Sequence, residues 1–524
     1  MMLLNTPLVR SAKPRLLIFP VFLFIAFLFF LPRQYSRATS SLHADIQEKN
    51  ATQAASTFHA TVHGFWQDLA AALLEARPQC DALAIKPGEI PDVTWEPLKQ
   101  DKKPMDRLLG FDDNHEKALF NAHRLMRSAA KNLAPKLPFA TNTTGIVMTA
   151  NAAYMPILLV SLRMLRKTGN TLPAEVFIDN WTTYDPAICD ALLPSLNARC
   201  IVLSNVYDSA PSAAKPDHYQ YKVFAILFSS FQHVLFLDSD SIAAHDPSVL
   251  FTAPPYTTHG LVTWPDFWEL SVSTHFYHIA AIPEEPVEKR LSSESGQVMI
   301  NKDIHRESLL MMVYYNYYGP EYYYPLLCQG SHGTGDKESF AQAALAAQLP
   351  YYQVKTPIRG LGRIVGMAQA DPMEDLAYQT PMPSHIHPDA TWTDDDVAAV
   401  APAAATDATS AASTYQILNR TSKAPPIPRM FFLHHNIIKL SPHHILDNKK
   451  GPQYDTNGMP HRMWGPADEM VKQLGYDGEQ RVWDVITEEG CRDDPGGEKC
   501  GELRSFNATL FGSLATTTPA PAVS

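Results

Sequence analysis

Two aspartates one residue apart stand at the end of an apolar run in "VLFLDSDSI", residues 234–242. Val234 to Leu237 read as a buried strand, with Asp238 and Asp240 at its tip. Carboxylates so spaced offer hard oxygen ligands to a divalent cation, Mn2+ or Mg2+, whose remaining positions suit a diphosphate. Such a cation neutralises the charge that grows on a departing diphosphate. The competing reading is a solvated turn. The same spacing recurs at Asp394 and Asp396, so the pattern alone decides nothing and its place must.

The place is set by the elements around it. From residue 144 short apolar runs alternate with helical ones. Strands are predicted over 145–150, 174–178 and 200–204, and helices over 154–169, near 186–196 and over 219–231. The last helix delivers the aspartate strand. Such alternation predicts an α/β fold, a mainly parallel sheet with helices on both faces. Ligands of such sheets bind beyond the carboxyl ends of the strands, the edge at which Asp238 and Asp240 stand.

The chain has 524 residues, 45% hydrophobic and 19% charged, with a net charge of −11. That balance excludes the clustered basic footprint of a nucleic-acid binder. Residues 16–31 are uninterruptedly apolar behind Arg10, Lys13 and Arg15, which predicts a single-pass type II signal anchor over 16–32 with residues 1–15 cytoplasmic. A cleaved signal peptide is the alternative, opposed by the length of the run and a poor cleavage site. Beyond it we expect a stem over 33–57, a helical region over 58–139 and a catalytic core over 140–370. A low-complexity insertion over 371–428 and a C-terminal part over 429–524 follow. Sequons at Asn50, Asn142, Asn180, Asn419 and Asn507 all follow the anchor and could all be glycosylated in a lumen. Of six cysteines, Cys491 and Cys500 bracket a turn-rich loop and Cys189 and Cys200 are near neighbours. Cys80 and Cys328 are left as a long-range pair, though sequence does not fix the connectivity. The absence of a C-x2-C pair argues against a zinc site.

"YKVFAILFSSFQHVLFLDSDSIAAHDPSVLF" (221–251) and "GLVTWPDFW" (260–268) are followed by "SESGQVMINK" (293–302), "YYNYYGPEYYYPLLCQGSHGTGDKESF" (314–340) and "FFLHHNIIKLSP" (431–442). With "TGIVMTANAAYMPILLVSLRMLRKTG" and "LPAEVF" before them, these blocks resemble, in order, the fungal Golgi mannosyltransferases of the MNN type. The resemblance covers roughly 140–370 and 429–445. It implies a GT-A fold, a GDP-mannose donor, a metal that is usually Mn2+, and a Golgi membrane anchor. The implied reaction is retaining transfer of mannose to mannose-terminated glycans of glycoproteins, with the α-1,2 branch most similar. It also leaves room for a place in a Golgi mannosyltransferase complex. The alternatives are an α-1,3 linkage or another nucleotide sugar and, in a different class, a non-catalytic mannan-binding subunit.

By that resemblance Asp238 and Asp240 hold the metal and through it the diphosphate. Lys222 meets phosphate or ribose, unless it is a surface lysine. Thr149, Asn151 and Lys439 fall in blocks that line the nucleotide. Asp266 reaches a sugar or merely packs between aromatics. Glu294 or Gln297, in a turn made by Gly296, contacts mannose. Asp336 binds sugar hydroxyls or steadies a cationic sugar centre, with service at a helix N-terminus as the other role open to it. One of His434 and His435 completes the metal shell, with a lean to His434. The tyrosines of 314–325 stack on sugars or pack the interior. Ser241 to His245 depart from the usual N-x-P continuation, and the 371–428 insertion is unusual.

Overall fold

The structure, a computed structural model, describes residues 57–88, 106–362, 365–378 and 427–512. The anchor, almost all of the stem, Asn50, Asn419, Asp394 and Asp396 lie outside them. Among the described residues no helix is long and apolar enough to cross a membrane. The chain forms two compact units, one ending at His63 and one running from Gly64. In the first, residues 57–63 are helical; everything below concerns the second.

The second unit opens with helix α1, residues 64–75. Two short strands, β1 (Ala84–Ile85) and β2 (Leu108–Leu109), pair ahead of helix α2 (Asp113–Leu133). The core then builds on β3 (Ala140–Thr149), helix α3 (Met155–Lys167), β4 (Ala174–Ile178), β5 (Ala198–Val202), helix α4 (Gln220–Phe228) and β6 (Phe231–Leu237). Their strands pair in parallel, β6 on one side of β3 and β4 with β5 on the other. β4 is buried at all five positions, which is why "AEVFI" carries no alternation: a parallel strand is covered on both faces. Gly145 is needed where β3 meets β6, because a Cβ there would lie 2.2 Å from the Phe231 ring. α3 holds Pro156 in its first turn and Arg166 and Lys167 in its last, the order that favours a helix's two ends.

Strand β7 (Ser241–Ala243) leaves this sheet, while β8 (Leu261–Pro265), β9 (Ser293–Asn301) and β10 (Tyr352–Gln353) complete it in the order β10-β8-β9-β6-β3-β4-β5. β9 runs antiparallel to both its neighbours, so the sheet is mixed though mostly parallel. Glu294 to Gln297, expected as a turn ahead of a strand, lie within the first half of β9. Strands β11 (Arg359–Leu361), β12 (Gly366–Ala370) and β13 (Met430–His434) form a second, antiparallel sheet with β7, in the order β11-β12-β13-β7. Helices α5 (Thr274–Ala280), α6 (Arg306–Tyr317), α7 (Ser339–Ala347), α8 (Pro372–Tyr378), α9 (Gly478–Gly490) and α10 (Glu498–Phe511) complete what is used below.

Several expectations change. The stretch read as an insertion from residue 371 opens as ordered helix α8. Asp371 and Asp375 are each 1% exposed. Asp371 pairs with Arg429 at 2.7 Å, and Asp375 accepts from Tyr352 Oη and from the Lys355 and Thr356 amides. Disulfides join Cys189 to Cys200 and Cys491 to Cys500. Cys80 and Cys328 are not joined: the buried Cys328 thiol instead faces the Gly335 carbonyl. The Asn507 side chain is buried and donates to Asp484, so its sequon is sealed in the folded chain. Tyr314 and Tyr318 donate their hydroxyls to the Ala76 and Leu73 carbonyls at the end of α1. With Tyr315 and Tyr323 they are interior packing rather than a sugar platform.

Candidate functional site

β6 ends at Leu237, and the chain turns sharply through Asp238, Ser239 and Asp240 into β7. The Asp238 amide donates to the Gly296 carbonyl at 2.8 Å and the Ser241 amide to the Asp238 carbonyl at 3.0 Å. This fixes the turn against β9. β13 pairs with β7 so that His434 stands opposite Ser241, which carries a side chain 194 positions along the chain to Asp240. His434 Nε2 lies 3.2 Å from Asp240 Oδ1 and its Nδ1 3.0 Å from Glu294 Oε1. Asp238, Asp240 and His434 each offer one ligand atom, and these atoms lie within 4.8 Å of one another.

Glycine makes room for this. A Cβ on Gly296 would sit 2.5 Å from His434 Nδ1 and 2.8 Å from Glu294 Oε1. The close approach expected at Gly296 is therefore that of the imidazole. His435 does not join the group. It packs on Trp464 with ring centroids 5.3 Å apart and its Nδ1 meets the Ile438 carbonyl. Burial pushes its pKa down to about 4. Adjacent residues leave a strand on opposite sides, and the register with β7 selects His434.

Charges alternate across the centre. Lys222, only 7% exposed, is no surface lysine: it reaches Asp238 at 3.0 Å and Asp336 at 3.2 Å. It also donates to the Ser295 carbonyl and hydroxyl. Burial opposes its charge, but Asp238, Asp336 and Glu294 hold the ammonium above its ordinary value. Burial lifts Asp238 to about 6, with Lys222 opposing and Asp240 adding to the rise. Burial acts likewise on Asp240, yet His434 and Lys439 override it and hold the carboxyl well below the usual range. Against its burial, Asp240 and Glu294 favour the charged form of His434.

The other expected residues gather on this edge. Lys439 pairs with Asp240 and lies 5.9 Å over the Tyr154 ring. The Thr149 carbonyl accepts from Ser239 Oγ at 2.7 Å. Asn151 caps the turn into α3 by accepting from the Tyr154 amide. Asp266 pairs with Lys337 at 2.9 Å, both side chains 5% exposed, and burial raises Asp266 in spite of that lysine. The Asp336 carboxylate accepts from Ser295 Oγ and faces Lys222; it does not cap α7, where only its carbonyl accepts from Ser339. Gln297 is fully buried. Its Oε1 accepts from Ser241 Oγ and its Nε2 has no hydrogen-bond partner.

Two features went unread in the sequence. Ser295 links Lys222 to Asp336. Arg290 ties Glu285 to Glu338, each at 2.8 Å, and Glu338 accepts from the Ser293 amide. A signal for Ser295 exists in hindsight: once "SESG" is a strand, Glu294 and Ser295 must face opposite ways.

Two carboxylates and an imidazole converging at a strand end are a donor set that fits a divalent cation. The fit is strengthened by Glu294, because a metal-ligating histidine commonly turns its second nitrogen to a carboxylate that fixes its tautomer and raises its basicity. Glu294, expected to touch mannose, is engaged here with His434 and the Gly296 amide. Glu294→Gln is expected to weaken Mn2+ affinity by about 10–100-fold, read by calorimetric titration; an unchanged affinity would remove Glu294 from this role.

A model of the family described as "Mannosyltransferase putative" matches residues 143–291 and 287–387. That stretch carries nearly all of the seven-stranded sheet and every site side chain named above except His434, His435 and Lys439. This match places the protein among the glycosyltransferases, and its sheet and carboxylate centre agree with that class. The chain is 31% identical over 480 residues to alpha-1,2-mannosyltransferase MNN21 of Candida albicans, covering 80% of this chain and 69% of that one. For MNN24 of the same organism the figures are 32% over 462 residues, 75% and 62%. On this likeness the chain belongs to the fungal α-1,2-mannosyltransferase family. Of solved structures, glycosyltransferase GlyE of Streptococcus pneumoniae matches 40% of this chain and 45% of its own at 13% identity and a TM-score of 0.27, a likeness too distant to carry weight.

Proposed function

We propose that the chain is a Golgi-anchored, type II enzyme of GT-A fold. It transfers mannose from GDP-mannose to mannose residues of glycoprotein glycans, with retention and in α-1,2 linkage, and so builds mannan side branches. The observation that carries this reading is the closing of one carboxylate–imidazole centre by Asp238, Asp240 and His434 at the carboxyl edge of the sheet. That relatives of this chain are α-1,2-mannosyltransferases supports the sugar and the linkage.

Asp238, Asp240 and His434 would hold the cation. The imidazole favours Mn2+ over Mg2+, whose shell is habitually oxygen. When bound, that cation supplies charge neutralisation to the departing diphosphate. The chain's own groups do the rest. Lys222 adds a fixed positive charge beside Asp238, and Lys439 adds one beside Asp240. Asp336, held by Ser295 and Lys222, is the carboxylate assigned to a sugar centre that becomes cationic as its bond to phosphate breaks. The Asp266–Lys337 pair and the Gln297 amide supply polar groups for sugar hydroxyls.

The test is incubation of the full-length protein with GDP-mannose, Mn2+ and α-mannobiose, followed by linkage analysis. An α-1,2-linked trimannose is expected. An α-1,3 product would move the linkage, and no turnover with any nucleotide sugar would replace the enzyme by a non-catalytic mannan-binding subunit.

A further inference from the structure

Away from the aspartate turn, a second set of side chains converges between α2 and α5. Glu116 projects from the first turns of α2, and His275 and His278 stand three residues apart on α5. That spacing puts both imidazoles on one helix face. Glu116 Oε2 lies 2.8 Å from His275 Nδ1, and Glu116 Oε1 lies 3.8 Å from His278 Nδ1. One ligand atom from each of the three falls within 4.8 Å of the other two. Glu284 Oε1 stands 4.0 Å from the second nitrogen of His278. The Phe111 ring packs on His275 with centroids 4.3 Å apart, which restrains that imidazole, and Ser273 Oγ caps the start of α5 through the His275 amide.

Hydrogen bonding accounts for only part of this. His275 and Glu116 make one good bond, but the 3.8 Å approach of His278 is too long for a second. Both imidazoles nevertheless turn the same nitrogen, Nδ1, to the one carboxylate. A cation among the three would serve all of them at once. The set differs from the aspartate centre, where two oxygens meet one nitrogen. Here two nitrogens meet one oxygen, a softer site that suits Zn2+ better than Mn2+ or Mg2+.

We infer that Glu116, His275 and His278 bind Zn2+ and thereby clip α2 to α5, joining the helical region ahead of the sheet to the core. The missing cysteine pair does not weigh against this, because histidine and glutamate supply the ligands. The inference stands apart from the proposed transferase activity, and its test does not read activity.

Full-length protein, loaded with Mn2+, is equilibrated with zinc chloride, freed of excess metal by gel filtration, and assayed for bound zinc. Wild type is expected to retain about one zinc per chain more than H275Q/H278Q, as one three-ligand site requires. With Co2+ in place of zinc, the visible absorption of a four-coordinate site should be present in wild type and in D240N but absent from H275Q/H278Q. Should the double variant fail to fold, H278Q alters a ring that is 56% exposed. In folded H278Q zinc retention should weaken by at least the roughly 10–100-fold that even an outer partner of a metal costs. Equal zinc content and equal cobalt spectra in wild type and folded variants would overturn the site.

Discussion

Asp240→Asn is expected to lower kcat for mannosyl transfer by on the order of 10³, about 4 kcal/mol of barrier, in a chain that still folds. The carboxylate is 6% exposed and faces two cations, His434 through Oδ1 and Lys439 through Oδ2. Asparagine keeps the shape and one acceptor oxygen, so β7 and β13 retain their pairing. What is lost is a negative charge that would ligate a metal and that now offsets two positive neighbours. Removal of metal with a chelator should cost wild type about as much as the substitution does. Applied to the variant, the chelator should add little, because groups that act as a unit are not additive. Steady-state rates with and without chelator, beside near-ultraviolet circular dichroism, provide the measurement. A folded Asp240→Asn chain within tenfold of wild type would remove the aspartate from the centre.

Arg290→Met carries the largest expected effect on stability, a loss of about 3–5 kcal/mol. The guanidinium is buried between Glu285 and Glu338, whose side chains are 2% and 0% exposed. It also donates to the Leu291 carbonyl and to Ser293 Oγ. Methionine fills the space and strips Glu338 of its cation, leaving Glu285 only the 3.9 Å approach of Lys289. The loss should be smaller when Glu338→Gln accompanies it, since one stranded charge is then gone. Lysine should restore little, because it cannot present the planar fork that spans both carboxylates. Urea denaturation distinguishes these cases, and a single variant within about 1 kcal/mol of wild type, the span of an ordinary surface ion pair, would show the network to be dispensable. Glu338 also receives the Ser292 hydroxyl and the Ser293 amide. The same change therefore loosens β9 just before Glu294 and the loop that bears Asp336.

Much of this architecture was legible because parallel strands declare themselves locally. "VLFL" is apolar on both faces and "AEVFI" is buried on both, its one carboxylate, Glu175, paired with Arg199, and the helices between them close with their own signals, as Gly169 does after α3. The aspartates needed no more than a strand end. What stayed hidden depends on register between distant segments. Nothing near His434 and His435 says which one faces the aspartates; the pairing of Leu433 with Ile242 and of His434 with Ser241 does. "ESGQ" looked like a turn because serine and glycine favour one, yet its backbone is held extended by β8 at Glu294 and by β6 at Gln297. The departure at Ser241 to Ala243, odd as a motif, is the strand on which β13 docks. Asn507 reads as an ordinary sequon because its burial comes from packing of α10 on α9, which a tripeptide does not record.

The pairing of β7 with β13 also bears on timing. Synthesis runs from the N-terminus, and domains fold as their parts emerge. A nascent chain that has reached Tyr378 already owns both aspartates, Lys222, Glu294 and Asp336, but it lacks the imidazole. Glu294 then has no ring to orient, and β7 presents a bare edge. The segment that reaches β13, synthesised well after both aspartates, covers that edge and supplies the missing ligand at once, so the centre closes in the same step that seals the edge of β7.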